Sequence, residues 1–117
     1  MKLRIINPTI HGLIDYSAAV GLITVPFLLG LGNSSFVAVW LSVTTGITVI
    51  LASMMTDYKL GMFKVIPFDG HLALDLTVAT IFMAIPVIFD LTGIDAYYYW
   101  VNAAVVYLVV ALSESKK

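Results

Sequence analysis

The stretch His11-Gly-Leu-Ile-Asp15 organises this chain, and it has a counterpart 60 residues later in His71-Leu-Ala-Leu-Asp75. The chain has only two histidines and two tryptophans, and each pair keeps this spacing of 60 residues. Aligned at that shift without a gap, the two parts of the chain share eight identical positions, over residues 11–53 and 71–113. The pattern predicts a tandem repeat in which each copy opens on a His-x-x-x-Asp pair.

The composition indicates a membrane protein whose surroundings are the lipid bilayer. Hydrophobic residues make up 61% of the 117 residues and charged residues only 11%, whereas soluble domains carry about 25% charged residues. The formal net charge of −1 provides no basic surface, so we expect no nucleic-acid partner. Cysteine is absent, which excludes disulfides, thiolate catalysis and metal sites built on cysteine.

Four long apolar runs predict the fold. Each is close to the ~20 residues that a helix needs to cross ~30 Å of hydrocarbon, and none alternates with the period of barrel strands. The runs are Pro8–Leu31, Ser35–Met55, Phe68–Leu91 and Ala96–Ser113. Short links make helical hairpins of the first two runs and of the last two. We therefore predict an all-α polytopic membrane protein with four transmembrane helices, formed by two tandem two-helix repeats about a pseudo-twofold axis along the membrane normal.

The domain boundaries follow from these runs. Residues 1–117 form a single four-helix transmembrane domain, with repeat 1 at about 8–55, a linker at 56–67 and repeat 2 at about 68–113. The positively charged N-terminus resembles a signal peptide, but no small-residue cleavage site follows it, so we interpret it as the start of a retained first span. Asn7-Pro8 is typical of a helix N-cap followed by proline at the first helical position.

The basic residues predict the orientation in the membrane. In a four-span arrangement all six lie on one side, and they are Lys2, Arg4, Lys59, Lys64, Lys116 and Lys117. The positive-inside rule then places both termini and the linker in the cytoplasm, in the inner (cytoplasmic) membrane. On the opposite side we expect a solvated Asp95 and a belt of aromatic residues that consists of Trp40 and positions 97–100. Tyr58, Phe63 and Phe68 can form the aromatic belt at the cytoplasmic interface.

The two His-x-x-x-Asp pairs are the candidate functional residues. Residues at i and i+4 share one helix face, so His11 lies beside Asp15 and His71 beside Asp75. Each aspartate lies ~6 Å deeper along the helix axis than its histidine. Because a carboxylate facing lipid has little to offset its desolvation, we expect both pairs to face the interior of the bundle.

Several roles are open to these pairs. In the simplest, each histidine hydrogen-bonds its own aspartate or the linker backbone and stabilises the start of its helix. Alternatively, His11, Asp15, His71 and Asp75 meet on the shared axis and bind a divalent metal such as Zn²⁺. Two facing histidines are also typical of a haem site, and four ionisable groups of a proton relay or a head-group site. A shared metal requires ligand atoms from both pairs within ~2.0–2.2 Å of one point.

A proline late in the first helix of each copy is the basis of a resemblance to a known family. The matching segments read Val25-Pro26-Phe27 and Ile85-Pro86-Val87. This layout resembles the SPW-repeat family of small bacterial integral membrane proteins, whose two-helix units carry Ser-Pro-Trp late in the first helix. The proline is present here in both copies, while the serine and tryptophan are not. The resemblance implies an integral membrane protein and brings no catalytic residues.

The motifs favour a protein that is not an enzyme. The sequence has no phosphate-binding Walker loop, no Gly-x-Ser-x-Gly and no His-Glu-x-x-His, and no nucleophile–base set can be assembled from it. The leading hypothesis is a structural or assembly module that forms a homo-oligomer or binds a membrane-protein partner. The alternative is a metal- or cofactor-binding protein, for zinc or haem, or a proton relay, using the paired motifs.

Overall fold

The computed structural model describes residues 4–114, and within that range it is an all-helical bundle, as predicted. Its four helices are α1 (Pro8–Leu28), α2 (Val37–Met54), α3 (Phe68–Ile88) and α4 (Ile94–Leu112). Each is long and apolar enough to cross a membrane, and 21 residues of α-helix extend ~31 Å. The fold is therefore that of a multi-pass membrane protein. Three of the six basic residues in the orientation prediction, Lys2, Lys116 and Lys117, lie outside the described residues.

The starts of α1 and α3 place the two histidines at equivalent positions. The Asn7 side chain accepts a hydrogen bond from the Ile10 N–H at 2.8 Å, so the predicted N-cap is confirmed. The His11 N–H donates to the Asn7 carbonyl at 2.9 Å, and the His71 N–H donates to the Pro67 carbonyl at 3.0 Å. Each histidine is therefore the first residue to close an α-helical turn, and its side chain lies at the end of the bundle where α1 and α3 begin.

The bundle consists of two tightly packed hairpins, because α1 packs against α2 and α3 packs against α4. Gly46 permits the close approach in the first hairpin, since a Cβ there would lie 2.8 Å from the Ala19 carbonyl oxygen. Ser42 strengthens this contact by donating to the Leu22 carbonyl at 2.7 Å. Small and hydroxyl residues at a helix interface are typical of packing in membranes.

The expectation of a solvated Asp95 is wrong. Its residue surface is only 1% exposed, and its carboxylate accepts hydrogen bonds from the Gly32 N–H at 2.9 Å, the Ser34 N–H at 3.0 Å and the Ser34 hydroxyl. Because α4 begins at Ile94, Asp95 lies in its first turn beside the loop of the other hairpin. This carboxylate therefore joins the two hairpins at the end of the bundle opposite the histidines.

The predicted aromatic belt at positions 97–100 is only partly present. Trp40, Tyr97 and Trp100 are exposed, but Tyr98 and Tyr99 are buried in the core. The Tyr99 hydroxyl donates to the Ala38 carbonyl at 2.7 Å, and the Tyr99 and Phe82 ring centroids lie 4.6 Å apart. The two tyrosines satisfy their hydroxyls against α2, so they pack between the hairpins and not in the interface with lipid head groups.

The helix bounds only partly follow the 60-residue spacing. The bounds of α1 and α3 differ by 60 residues at both ends, from 8 to 68 and from 28 to 88. However, α2 begins at Val37 and α4 at Ile94, which are 57 residues apart. The first hairpin loop is thus longer than the second. The tandem repeat stays a prediction from the sequence.

Candidate metal centre

The structure brings His11, Asp15, His71 and Asp75 together in one buried cluster, which we call the His-Asp cluster. His11 Nε2 lies 3.2 Å from Asp15 Oδ1 and 2.9 Å from Asp75 Oδ2. His71 Nε2 lies 2.9 Å from Asp15 Oδ2 and 3.4 Å from Asp75 Oδ1. One potential ligand atom from each of the four residues lies within 4.8 Å of the others. Each histidine therefore faces the carboxylate of its own helix and that of the other hairpin.

The shortest contacts in the cluster cross between α1 and α3. His11 Nε2 has hydrogen-bond geometry with Asp75 on the other helix, at 2.9 Å. The contact to Asp15, four residues along the same helix, is longer at 3.2 Å. The simplest interpretation, in which each histidine bonds only its own aspartate, therefore does not describe this cluster. The faces of α1 and α3 converge on a single group of ligand atoms.

A hydroxyl behind each imidazole orients its ring. His11 Nδ1 lies 2.7 Å from Ser113 Oγ, and His71 Nδ1 lies 2.7 Å from Thr56 Oγ1. Both hydroxyls donate their own proton to the backbone carbonyl four residues earlier, at 2.6 Å and 2.7 Å. Their oxygens are therefore left to accept from Nδ1–H, and Nε2 is the nitrogen that faces the carboxylates. Histidines that bind metals are oriented by the same kind of outer hydrogen bond.

Short backbone pairings bring these hydroxyls to the histidines. Ile6, just before α1, forms a parallel bridge with Ser113, just after α4. Ile66, just before α3, forms the same bridge with Thr56, just after α2. The start of each histidine helix is thereby tied to the end of α2 or α4.

The linker supplies a fifth polar group to the cluster. The Tyr58 hydroxyl donates to Asp15 Oδ2 at 2.9 Å, and Tyr58 is only 3% exposed. Burial raises the pKa of the Tyr58 hydroxyl above its usual range, so it keeps its proton and remains a donor. Aromatic rings surround the cluster, because Phe68 packs edge-on against His11 at 5.2 Å and Tyr58 lies 5.6 Å from the His71 ring.

One buried nitrogen in the cluster has no hydrogen bond. His71 Nε2 lies at ion-pair distance from both carboxylates, 2.9 Å from Asp15 Oδ2 and 3.4 Å from Asp75 Oδ1. Within residues 4–114 neither contact has the geometry of a hydrogen bond from this nitrogen. Its position among three other ligand atoms fits a metal ion held between them.

A cavity continues from the two carboxylates toward the middle of the bundle. Its volume is about 90 Å³, and residues from all four helices line it. Apart from Asp15 and Asp75, Asn102 is the one residue with a polar side chain in the lining, and the remainder is aliphatic or aromatic. The cluster therefore has a polar, covered side toward the linker and an apolar side toward the centre of the membrane.

Sequence reasoning located all four members of the His-Asp cluster but missed the residues around them. From the sequence, Tyr58 and Phe68 are predicted only as aromatic residues at the membrane surface, and no role is predicted for Thr56 or Ser113. A usable signal was present, because Thr56 and Ser113 are hydroxyl residues directly after the apolar runs of α2 and α4. Because the two helices of a hairpin are antiparallel, α2 and α4 end on the side of the bundle where α1 and α3 begin.

No family model, curated protein or solved structure matches this chain. The resemblance to the SPW-repeat family therefore stays a prediction that depends on Pro26 and Pro86.

Proposed function

We propose that this chain is a non-enzymatic membrane protein that binds one divalent metal ion, with Zn²⁺ as the leading candidate, through the His-Asp cluster. The main support for the proposal is that one potential ligand atom from each of the four residues lies within 4.8 Å of the others. Two imidazoles and two carboxylates are a common type of ligand set for zinc. Two carboxylates also balance the double charge of the ion, which matters because an unbalanced charge is costly in a buried site.

The distances within the cluster support a tetrahedral site. Ligand atoms that lie ~2.0–2.1 Å from a tetrahedral zinc ion are separated from one another by about 3.3 Å. The four nitrogen–oxygen distances between histidines and aspartates span 2.9 Å to 3.4 Å and involve both oxygens of each carboxylate. One ligand atom from each residue lies within 4.8 Å of the others, so the four side chains have to move closer together when they bind a tetrahedral ion.

A haem fits this site poorly. The His11 and His71 rings lie edge-to-face with their centroids 5.4 Å apart, and Phe68 packs 5.2 Å from His11. A porphyrin between the two imidazoles would have to displace Phe68 and Tyr58, and the adjoining cavity of about 90 Å³ is far too small for the macrocycle. The geometry supports a bare ion as the ligand.

The second candidate function is a structural clamp without metal. In this role His11 is a doubly protonated imidazolium, and its hydrogen bond to Asp75 at 2.9 Å crosses from one hairpin to the other and stabilises their association. This role fits the hypothesis of a structural or assembly module, in which the protein forms a homo-oligomer or binds a membrane-protein partner. The two candidates differ in a single measurable property, which is stoichiometric metal.

Metal analysis of the detergent-purified, full-length protein tests the proposal. From cells grown in zinc-replete medium we expect about one metal ion per chain. After removal with a chelator, we expect Zn²⁺ to bind again at one equivalent, and Co²⁺ to give the visible absorption of a tetrahedral site. Protein that carries no stoichiometric metal and binds neither ion on titration would contradict the proposal and favour the structural clamp.

We further propose that both termini and the linker face the cytoplasm, with the protein in the inner membrane. Support comes from Arg4, Lys59 and Lys64, which all belong to the chain segments at the end where α1 and α3 begin. Positive residues concentrate on the cytoplasmic side of membrane proteins. The His-Asp cluster would then lie close to the cytoplasmic surface.

Cysteine labelling in intact cells tests this orientation, since the natural chain has no cysteine. Asn33 and Lys59 are exposed, in the first hairpin loop and in the linker. We expect an impermeant maleimide to label Asn33→Cys in intact cells and to label Lys59→Cys only after the membrane is opened. Equal labelling of both variants in intact cells would contradict the four-span orientation.

A further inference from the structure

The linker between α2 and α3 is a compact loop that folds back onto the end of α2. The N–H groups of Met62 and Phe63 both donate to the Met54 carbonyl, at 2.7 Å and 2.9 Å. The Asp57 N–H donates to the Ile66 carbonyl at 2.7 Å, closing the loop at its base. A backbone with this many internal hydrogen bonds holds its side chains in defined positions, so the linker can position a group in the cluster.

Gly61 makes this loop path possible. A Cβ at that position would lie only 1.8 Å from the Thr56 carbonyl oxygen, which no other residue could accept without moving the backbone. Leu60, just before it, packs against α1, where a Cβ on Gly12 would lie 3.1 Å from the Leu60 side chain. The Tyr16 hydroxyl on α1 donates to the Leu60 carbonyl at 3.0 Å. The loop is thereby docked onto α1 directly over the cluster.

Tyr58 makes the two carboxylates of the cluster unequal. Asp15 Oδ2 accepts from the Tyr58 hydroxyl at 2.9 Å and also lies 2.9 Å from His71 Nε2. The described contacts of the Asp75 carboxylate are to the two histidines. The Asp75 side chain is 18% exposed against 8% for Asp15, and both line the cavity. Asp15 is therefore the more firmly held of the two potential ligands.

The two sides of the cluster differ as routes for an ion. Toward the centre of the membrane lies the cavity, with aliphatic and aromatic walls and Asn102 as its further polar residue. A divalent ion entering it would lose its ligands and water with little in return. On the linker side, the buried ring of Tyr58 lies 5.6 Å from the ring of His71, and Leu60 packs against α1 beside Gly12. These two side chains cover the cluster on that side.

From these contacts we infer that Tyr58 is a fifth residue of the site, which positions Asp15 for metal binding and closes the side through which the metal leaves. The inference depends on the proposed function, because it concerns the same ion. Its hydroxyl and its ring have separate tasks: the hydroxyl holds the carboxylate, and the ring covers the cluster.

Two substitutions separate those tasks. Tyr58→Phe keeps the ring and removes the hydroxyl, and Tyr58→Ala removes both. Loss of an outer-shell partner weakens metal binding by about 10–100-fold. We therefore expect Tyr58→Phe to lower Zn²⁺ affinity by ~10-fold or more, and Tyr58→Ala to release the ion faster still. Tyr97→Phe is the matched control, because Tyr97 is exposed on α4 at the opposite end of the bundle.

The measurements are the Zn²⁺ affinity by titration and the release rate after addition of excess chelator, on the detergent-purified full chain. Circular dichroism and the unfolding transition show whether the phenylalanine variant is folded. If it is, its zinc affinity tests the positioning role even when the alanine variant unfolds. A phenylalanine variant with the affinity and release rate of the natural protein would overturn the positioning role. A folded alanine variant that releases zinc no faster than the phenylalanine variant would overturn the closing role. Failure of the natural protein itself to bind would contradict the proposed function, which is a distinct result.

Discussion

Replacing His71 by alanine is expected to abolish stoichiometric zinc binding. His71 Nε2 is buried, lies 2.9 Å from Asp15 and 3.4 Å from Asp75, and has no hydrogen-bond partner within residues 4–114. In the proposed zinc site it contributes one of four ligand atoms, and the chain has no third histidine that could replace it. Since even outer-shell partners change metal affinity by about 10–100-fold, we expect loss of this ligand to raise the Kd for Zn²⁺ by at least ~100-fold.

Titration with Zn²⁺ after removal of metal measures this effect, and Co²⁺ absorption reports the geometry. The matched control is Thr77→Val on the same helix, because Thr77 is exposed and its hydroxyl bonds to the Ala73 carbonyl of its own helix at 2.9 Å. We expect the control to bind like the natural protein. His11→Ala should behave like His71→Ala, since both nitrogens face both carboxylates. Zinc affinity that is unchanged in both histidine variants would remove the His-Asp cluster as the site.

Replacing Asp95 by asparagine is expected to lower the free energy of unfolding by about 1–3 kcal/mol, because even the better amide orientation, with its oxygen toward Ser34, leaves the Gly32 N–H without an acceptor at ~1–3 kcal/mol per donor. Asp95 Oδ2 accepts from both the N–H and the hydroxyl of Ser34, and Oδ1 accepts from the Gly32 N–H. An amide presents one acceptor and one donor in place of two acceptors. Its NH₂ group would meet either the Ser34 donors or the Gly32 donor.

Reversible unfolding in mixed micelles measures the stability of this variant. Asp90→Asn is the matched control, since Asp90 is exposed near the same end of the bundle and its left-handed backbone, with φ of 52°, is one that asparagine also tolerates. We expect the control to change stability by less than ~0.5 kcal/mol. An Asp95→Asn variant as stable as this control would show that the carboxylate does not hold the two hairpins together.

Together the two substitutions distinguish effects on zinc binding from effects on the stability of the bundle. Asp95 lies at the hairpin-loop end of the bundle, and the His-Asp cluster lies at the end where α1 and α3 begin. We therefore expect Asp95→Asn to lower stability with little change in zinc affinity in the folded protein. We expect His71→Ala to change zinc affinity more than it changes stability.

Much of the fold could be predicted from the sequence because it depends on short-range physics. Apolar runs of about 20 residues must be helical in a bilayer, since lipid offers no partner for backbone N–H and C=O groups. Asn7 and Pro8 mark the start of α1 through a local cap. The i, i+4 spacing of His11 and Asp15 places both on one helix face whatever the rest of the chain does. The need to bury an aspartate in the membrane then directs that face inward.

The tertiary structure alone decided which groups are partners. Pairing of His11 with Asp75, of Asp15 with Tyr58 and of Asp95 with Ser34 depends on how the two hairpins dock and on the path of the linker. These contacts join residues 43 to 64 positions apart, and helical periodicity contains no information on such distances. The sequence by itself determined four helices with two polar starts. The docking of one hairpin on the other turned those starts into one cluster, because hydrogen-bond and ion-pair distances of about 3 Å are set only when the backbones are in place.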